Sequence, residues 1–299
     1  MSTRTNTRMD TRTSIRMGAR PATGGTAHQE PALPEPKFTD LLAAEWIKLW
    51  SLRSIPWFLL ISAVTVIALN ANGARASRSQ WSSWTVGQQA YYARTGALSD
   101  AFTRPGATLV LLAMGAVGAI AILSEQSTGL LRTTFAAAPA RREVVAAKVL
   151  VIAGVAAGFG VFVVAVSFWL DEAILAGKYG GVSIGHPGAL RLVTASALLA
   201  PVGALIGLGL GAVIRHSVTT MVTLFALVFV LPSFVHDNSY GGAVIVNTLP
   251  FTAWSRLLMP ARLTGTPYPS TLGGAWTVYV IWTVVAVLLA MTTVPRRDQ

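Results

Sequence analysis

The chain of 299 residues contains no cysteine, which excludes disulfides, zinc–thiolate sites, iron–sulfur ligation and a thiol nucleophile together. Charge is scarce as well. Asp, Glu, Lys and Arg make up 12% of the residues, about half the roughly 25% of an ordinary soluble domain. No GxxxxGKS/T phosphate loop occurs, so the chain does not bind ATP in that manner. The four histidines (His28, His186, His216 and His236) show no ligand spacing. His236-Asp237 could hold a proton or a metal, with a plain interfacial pair as the simpler reading. No catalytic residue, metal ligand or bound cofactor is expected, and the chain does not read as an enzyme.

What is present is apolar: 53% of residues, with a mean hydropathy of +0.57. Six stretches come close to the roughly 20 apolar residues needed to cross a bilayer. They are Pro56–Asn72, Ala107–Leu123, Val145–Leu170, Leu192–Ile214, Ser217–Val235 and Gly273–Val294. Lys148 is the one charged residue in them, placed near an end where it can snorkel. Runs this long are helices, because barrel strands are about 10 residues and alternate in polarity. The expected fold is therefore an all-α polytopic membrane protein with six transmembrane helices. Only Arg215 and His216 separate the fourth and fifth, which makes them a tight hairpin. No carboxylate falls inside the stretches, so an ion relay is not expected.

Residues 1–36 form a separate zone, with Arg4, Arg8, Arg12, Arg16 and Arg20 at four-residue intervals and Pro21, Pro31, Pro34 and Pro36 after them. Like charges at i,i+4 oppose a helix, so a disordered basic tail is expected, ahead of one transmembrane domain over 37–299. The net charge of +11 suits anionic lipid rather than nucleic acid, given where the charges sit. With the N-terminus inside, 15 of the 23 Lys and Arg lie on the cytoplasmic side, which places both termini in the cytoplasm by the positive-inside rule. Arg75, Arg78, Arg94 and Arg104 run against it.

Before the first stretch, residues 37–53 form an amphipathic helix by period. Phe38, Leu42, Ala43, Trp46, Ile47, Leu49 and Trp50 share one half, with Lys37, Asp40, Glu45, Lys48 and Ser51 opposite and Leu41 out of place. Trp46 and Trp50 suit the membrane interface; the Asp40/Glu45/Lys48 face either only keeps to water or also meets a cytosolic partner. The connection between the second and third stretches carries Glu125, Arg132, Arg141, Arg142 and Glu143, more than a chain reversal needs. A short helix fits there, as a docking surface or a solvated connector. Gly203, Gly207 and Gly211 make a small-xxx-small ladder for helix packing, and Gly154 and Gly158 a second one. Pro201 and Pro232 either kink helices or end them. The segment 236–272 is either a re-entrant pair or an amphipathic surface loop.

Two runs carry a family resemblance. Glu45-Trp46-Ile47-Lys48-Leu49-Trp50-Ser51-Leu52-Arg53-Ser54 resembles the "EW-x-K-L-x-S-x-R-S" opening of ABC-2-type exporter membrane subunits, particularly those of high-GC Gram-positive bacteria. Glu125-Gln126-Ser127-Thr128-Gly129-Leu130-Leu131-Arg132-Thr133-Thr134 is similar to that family's "E-Y/F/Q-x-x-G-x-I/L-R-T-T" loop, followed by Pro-x-Arg-Arg and Ala-Ala-Lys. Leu249-Pro250-Phe251-Thr252-Ala253 is a loose version of its motif before the last span. The resemblance implies that Phe38–Arg53 is a connecting helix. It also implies a coupling helix over Ser127–Ala138 that touches a separate ATPase, involving Glu125, Thr128, Gly129, Leu131, Arg132, Phe135, Arg141 and Arg142. ATP and magnesium would then be bound by the partner, and the permease would pair with itself or a second permease in the plasma membrane. The function implied is export of an amphipathic or hydrophobic substrate. A non-transporting scaffold or regulatory subunit and an ion-coupled secondary transporter are the alternatives.

Overall fold

A computed structural model of the chain describes residues 37–92, 100–128, 141–175, 185, 188–235, 239–259 and 268–297. The basic N-terminal stretch lies outside them, as does the expectation made for it. Among the described residues the fold is all α, and six helices are long and apolar enough to cross a membrane. The chain is a multi-pass membrane protein.

Helix α1 (Phe38–Ser51) precedes the first spanning helix, α2 (Ser54–Gln80). A short α3 (Val86–Tyr91) comes before α4 (Arg104–Thr128). Then follow α5 (Arg141–Leu175) and α6 (Ala189–Ile214). The fifth span begins as α7 (Ser217–Phe225), passes through a π-helical turn at Ala226–Val230 and ends as α8 (Leu231–Phe234). Two short helices, α9 (Tyr240–Asn247) and α10 (Pro250–Leu258), lead towards α11 (Leu272–Arg297). Arg215 makes the hairpin between α6 and α7 by adopting a left-handed φ of 59°, and its N–H donates to the Gly211 carbonyl at 3.0 Å.

Several helices run well past the apolar stretches that mark them in the sequence. Hydropathy registers the part of a helix that meets lipid, whereas a helix end enclosed by protein can carry polar residues and continue. Glu125 therefore belongs to α4 and Asp171 to α5, and they are only 6% and 4% exposed. The expectation that the spanning helices hold no carboxylate is corrected accordingly. Pro201 lies inside α6. Pro232 stands two residues beyond the end of the π turn; a proline ring clashes with the carbonyl four residues back, here Val228 within that turn, and the widened turn accommodates it.

The centre of the bundle is the pair α4 and α6. Gly203 stands over Leu111, Gly207 over Gly115 and Gly211 over Ala119, at the same offset each time, so the two helices run parallel. A Cβ built on Gly207 would fall 1.8 Å from the Gly115 carbonyl oxygen, and one on Gly118 would fall 1.8 Å from that of Ala204. Backbones meet here without side chains between them, the close approach that small residues permit in lipid. A Cβ on Gly154 or Gly158 would meet nothing within 4 Å, so these two glycines pack against no other described helix of this chain. The close contact of α5 with α6 uses Gly160 instead, whose Cβ would meet the Ala197 carbonyl oxygen at 2.2 Å.

In the 236–272 segment, α9 is largely exposed, whereas α10 is buried against the bundle. Trp254 on α10 is 1% exposed and its indole N–H donates to Ser196 Oγ on α6 at 3.0 Å. Arg191 Nε donates to the Leu257 carbonyl at 2.9 Å and Arg256 Nε to the Ser270 carbonyl at 2.7 Å. Both guanidiniums also reach the Met259 carbonyl, so cations satisfy the carbonyls at the α10 C-terminus.

Replacing Gly207 with valine should overpack the α4–α6 contact and cost about 1–3 kcal/mol. Thermal unfolding of the detergent-purified chain reads this as a lower midpoint, with Gly154→Val, which points into open space, leaving it unchanged.

Candidate functional site

Glu45 lies on α1 one helical turn from Leu41 and one from Leu49, and these three are the residues that α1 buries. Phe38, Trp46, Ile47 and Trp50 are exposed, with the Trp46 and Trp50 rings packed together at 5.5 Å between centroids. This corrects the expected orientation in two ways. Leu41, out of place on the sequence-based helix, faces the bundle. Glu45, expected on the water-facing side, is 4% exposed and points inward. A two-sided pattern cannot describe a helix with three environments, namely bundle, lipid and water.

The charge of Glu45 is accommodated by α5. Lys148 is itself 4% exposed, and its ammonium donates to Glu45 Oε2 and, at 2.7 Å, to Glu125 Oε1 on α4. Lys48 completes the group, 2.6 Å from Glu45 Oε1 and 3.5 Å from Glu125 Oε1. Two carboxylates and two ammoniums thus alternate across three helices, and the sum of their formal charges is zero. The second oxygen of Glu125, Oε2, has no hydrogen-bond partner. An open cavity of about 140 Å³ lies against the group, lined also by Ser51, Ser124, Thr128 and Val151.

Burial works against the Lys48 charge, but the hydrogen bond to Glu45 and the fields of Glu125 and Glu45 outweigh it and hold its pKa above the usual 10.5. A lysine whose pKa is raised on docking contributes stability that is complete below its ordinary value and lost as pH climbs through the raised one. The Lys48 contribution to the attachment of α1 is therefore complete at neutrality and is lost only in the alkaline range.

Of the other residues singled out in the sequence, Arg141 and Arg142 open the first turn of α5 and Thr128 closes α4, its hydroxyl donating to the Ser124 carbonyl at 2.9 Å. Asp40 is exposed on α1, where it accepts from the Lys37 N–H at 3.0 Å; Arg53 follows that helix and is exposed. Gly129, Leu131, Arg132 and Phe135, and with them most of the expected coupling helix over Ser127–Ala138, lie outside the described residues. So does His236-Asp237. Sequence reasoning separates Glu45, Glu125 and Lys148 into a helix face, a loop edge and a snorkelling lysine. The usable signal is chemical: a lysine in an apolar run needs a buried counter-charge, and the nearest carboxylates by membrane depth are these two.

Lys148→Met leaves two enclosed carboxylates short of a cation, a change that costs about 3–5 kcal/mol when a buried pair is broken. Chemical or thermal unfolding should show that loss. The double variant Glu45→Gln/Lys148→Met should recover most of it, because Glu125 and Lys48 then remain as one opposite-charged pair. In a second experiment, the fluorescence of Trp46 and Trp50 should change on the alkaline side, where Lys48 loses its proton, and Lys48→Met should remove that change.

No protein-family model matches this chain, and no curated protein matches it.

Proposed function

We propose that the chain is the permease subunit of an ATP-driven exporter of the ABC-2 type, with both termini in the cytoplasm and the plasma membrane as its location. The observation that carries the reading is the bridge from Lys148 to Glu45 and Glu125. Glu125 is the last buried residue of α4 before the connection to α5, and Lys148 stands two turns into α5. Both helices that flank the connection are thereby tied to α1 on its side of the membrane. A force applied to the connection reaches three helices at once through charges that cannot separate cheaply in a low-dielectric site. This is the arrangement that a machine driven from outside its own chain requires.

The mechanism follows from that placement. A separate ATPase subunit binds and hydrolyses ATP with magnesium and presses on the connection, where Leu131, Phe135 and Arg132 supply the contacts. The glycine-lined pair α4–α6 carries the displacement across the membrane, and a second permease chain, identical or not, completes the pathway. The cargo is amphipathic or hydrophobic, matching walls that offer few charges. The exposed Trp46 and Trp50 hold α1 at the lipid interface.

The test is co-expression of the tagged chain with P-loop ATPases of its host, followed by capture and assay of ATP hydrolysis. The chain alone should show none. Phe135→Ala and Arg132→Glu should each reduce the captured ATPase by about tenfold or more, the loss typical of an interface anchor, while the chain's own unfolding midpoint stays put. Robust hydrolysis by the pure chain, or full ATPase capture by both variants, would overturn the reading.

A further inference from the structure

At the end of the bundle opposite α1, the last turns of α5 pack against the last turns of α2. Two polar rungs join them. Asn70 Nδ2 donates to Ser167 Oγ at 3.0 Å, and Arg78 Nη1 donates to the Ile174 carbonyl at 2.7 Å. Ser167, Asp171 and Ile174 follow one another along one face of α5 by helical spacing, so Asp171 sits between the rungs. The α2 position between Asn70 and Arg78 on that face is Ala74, 0% exposed, which offers no side-chain donor. Asp171 is 4% exposed, and its Oδ1 is enclosed without a hydrogen-bond partner.

A second carboxylate shares this space. The Asp100 backbone lies over α2 beside Ala74, its carbonyl oxygen 3.7 Å from where a Cβ on Gly73 would stand. The Asp100 side chain accepts hydrogen bonds from the Tyr92 hydroxyl and from Ser77, and its charge is felt at Asp171. Burial drives the Asp100 pKa above the usual carboxylate range, with the Ser77 and Tyr92 hydrogen bonds opposing it. Burial likewise raises the Tyr92 phenol. The remaining described groups facing the pair are Thr103, whose N–H and hydroxyl both go to Asn70 Oδ1, and the half-buried Glu172 beside Asp171. Arg78, the cation on this face of α2, gives a hydrogen bond to Ile174 rather than to either acid.

We propose that Asp100 and Asp171 form a proton-binding site, one proton being held by the pair when α5 is closed on α2. Two neighbouring carboxylates cannot both remain ionised in an enclosed site at acceptable cost, and the ordinary outcome is that the group neutralises. A metal ion needs room for a coordination shell, which an oxygen enclosed on all sides does not give; a proton needs none. The closed packing then binds a proton that separated, hydrated carboxylates release at neutral pH. Protonation therefore favours closure, and closure weakens as pH rises. The site makes the chain responsive to protons on the side away from α1. It depends on the packing of α2 and α5 alone and stands or falls independently of the exporter reading.

Infrared spectroscopy of the full chain in lipid nanodiscs tests this directly, because the carbonyl stretch of a protonated carboxylic acid is resolved from carboxylate and amide bands. At neutral pH the wild type should show such a band. Asp171→Asn should remove it, Asp100→Asn should shift it, because the enclosed Asp171 oxygen is still present but has lost its neighbour, and Asp40→Asn, on the exposed face of α1, should leave it. The unfolding midpoint supplies a second reading: it should fall as pH rises in the wild type, by up to about tenfold in the folding equilibrium per pH unit for one linked proton, and this dependence should flatten in Asp171→Asn. If the wild-type band is absent at neutral pH, or is unchanged in either variant, the proposal is wrong, and the wild-type spectrum decides even if a variant does not fold.

Discussion

An ammonium group enclosed among apolar helices must have carboxylates around it, and that requirement at Lys148 organises the whole α1 end of the molecule. Removing an ion from water costs several kcal/mol even after relaxation, so Lys148 can stay charged only where Glu45 and Glu125 converge on it. Because those two residues lie on α1 and α4, a single side chain of α5 fixes the mutual position of three helices. The orientation of α1 follows: with Glu45 held inward, the tryptophans on the opposite side are turned out.

The rest of the bundle is held by the opposite kind of contact. Between α4 and α6 there is no charge, and at Gly207 and Gly118 backbone meets backbone, with the Leu111 and Ile122 side chains filling in beside Gly203 and Gly211. In lipid the hydrophobic effect does not drive helices together, and association relies on packing and hydrogen bonds. Hydrogen-bonded polar side chains return towards the far end, where Asn70 joins α2 to α5 and Trp254 joins α10 to α6. The molecule thus has ionic contacts at one end, close packing in the middle and hydrogen bonds at the other.

Much of this architecture is legible in the sequence because bilayer thickness imposes a length that hydropathy detects. The six stretches, the tight turn at Arg215-His216 and the ladder at Gly203, Gly207 and Gly211 follow from such constraints. The orientation of Glu45 is not legible, since a periodic pattern divides a helix into two faces and α1 has three surroundings. Gly154 and Gly158 have the same spacing as the ladder on α6, but spacing shows only that a helix can be approached closely, while Gly160, which is so approached within this chain, has the same spacing with the buried Ala156. Asp171 is hidden by its place just beyond an apolar run, where burial depends on a partner helix that local sequence does not reveal. The burial of α10 likewise depends on Ser196 and Arg191, distant in sequence.

The parallel contact of α4 with α6 also determines how motion can travel. Side chains in an ordinary interface switch rotamers and so take up part of any displacement, as a cushion does. Facing backbones have no such freedom, and the two helices behave as one stiff beam, about 37 Å long over the 25 residues of α4. A tilt imposed where Glu125 meets Lys148 is then delivered to Arg104 and Ala189 at the other end with little lost on the way. The glycines act as a weld between two rods.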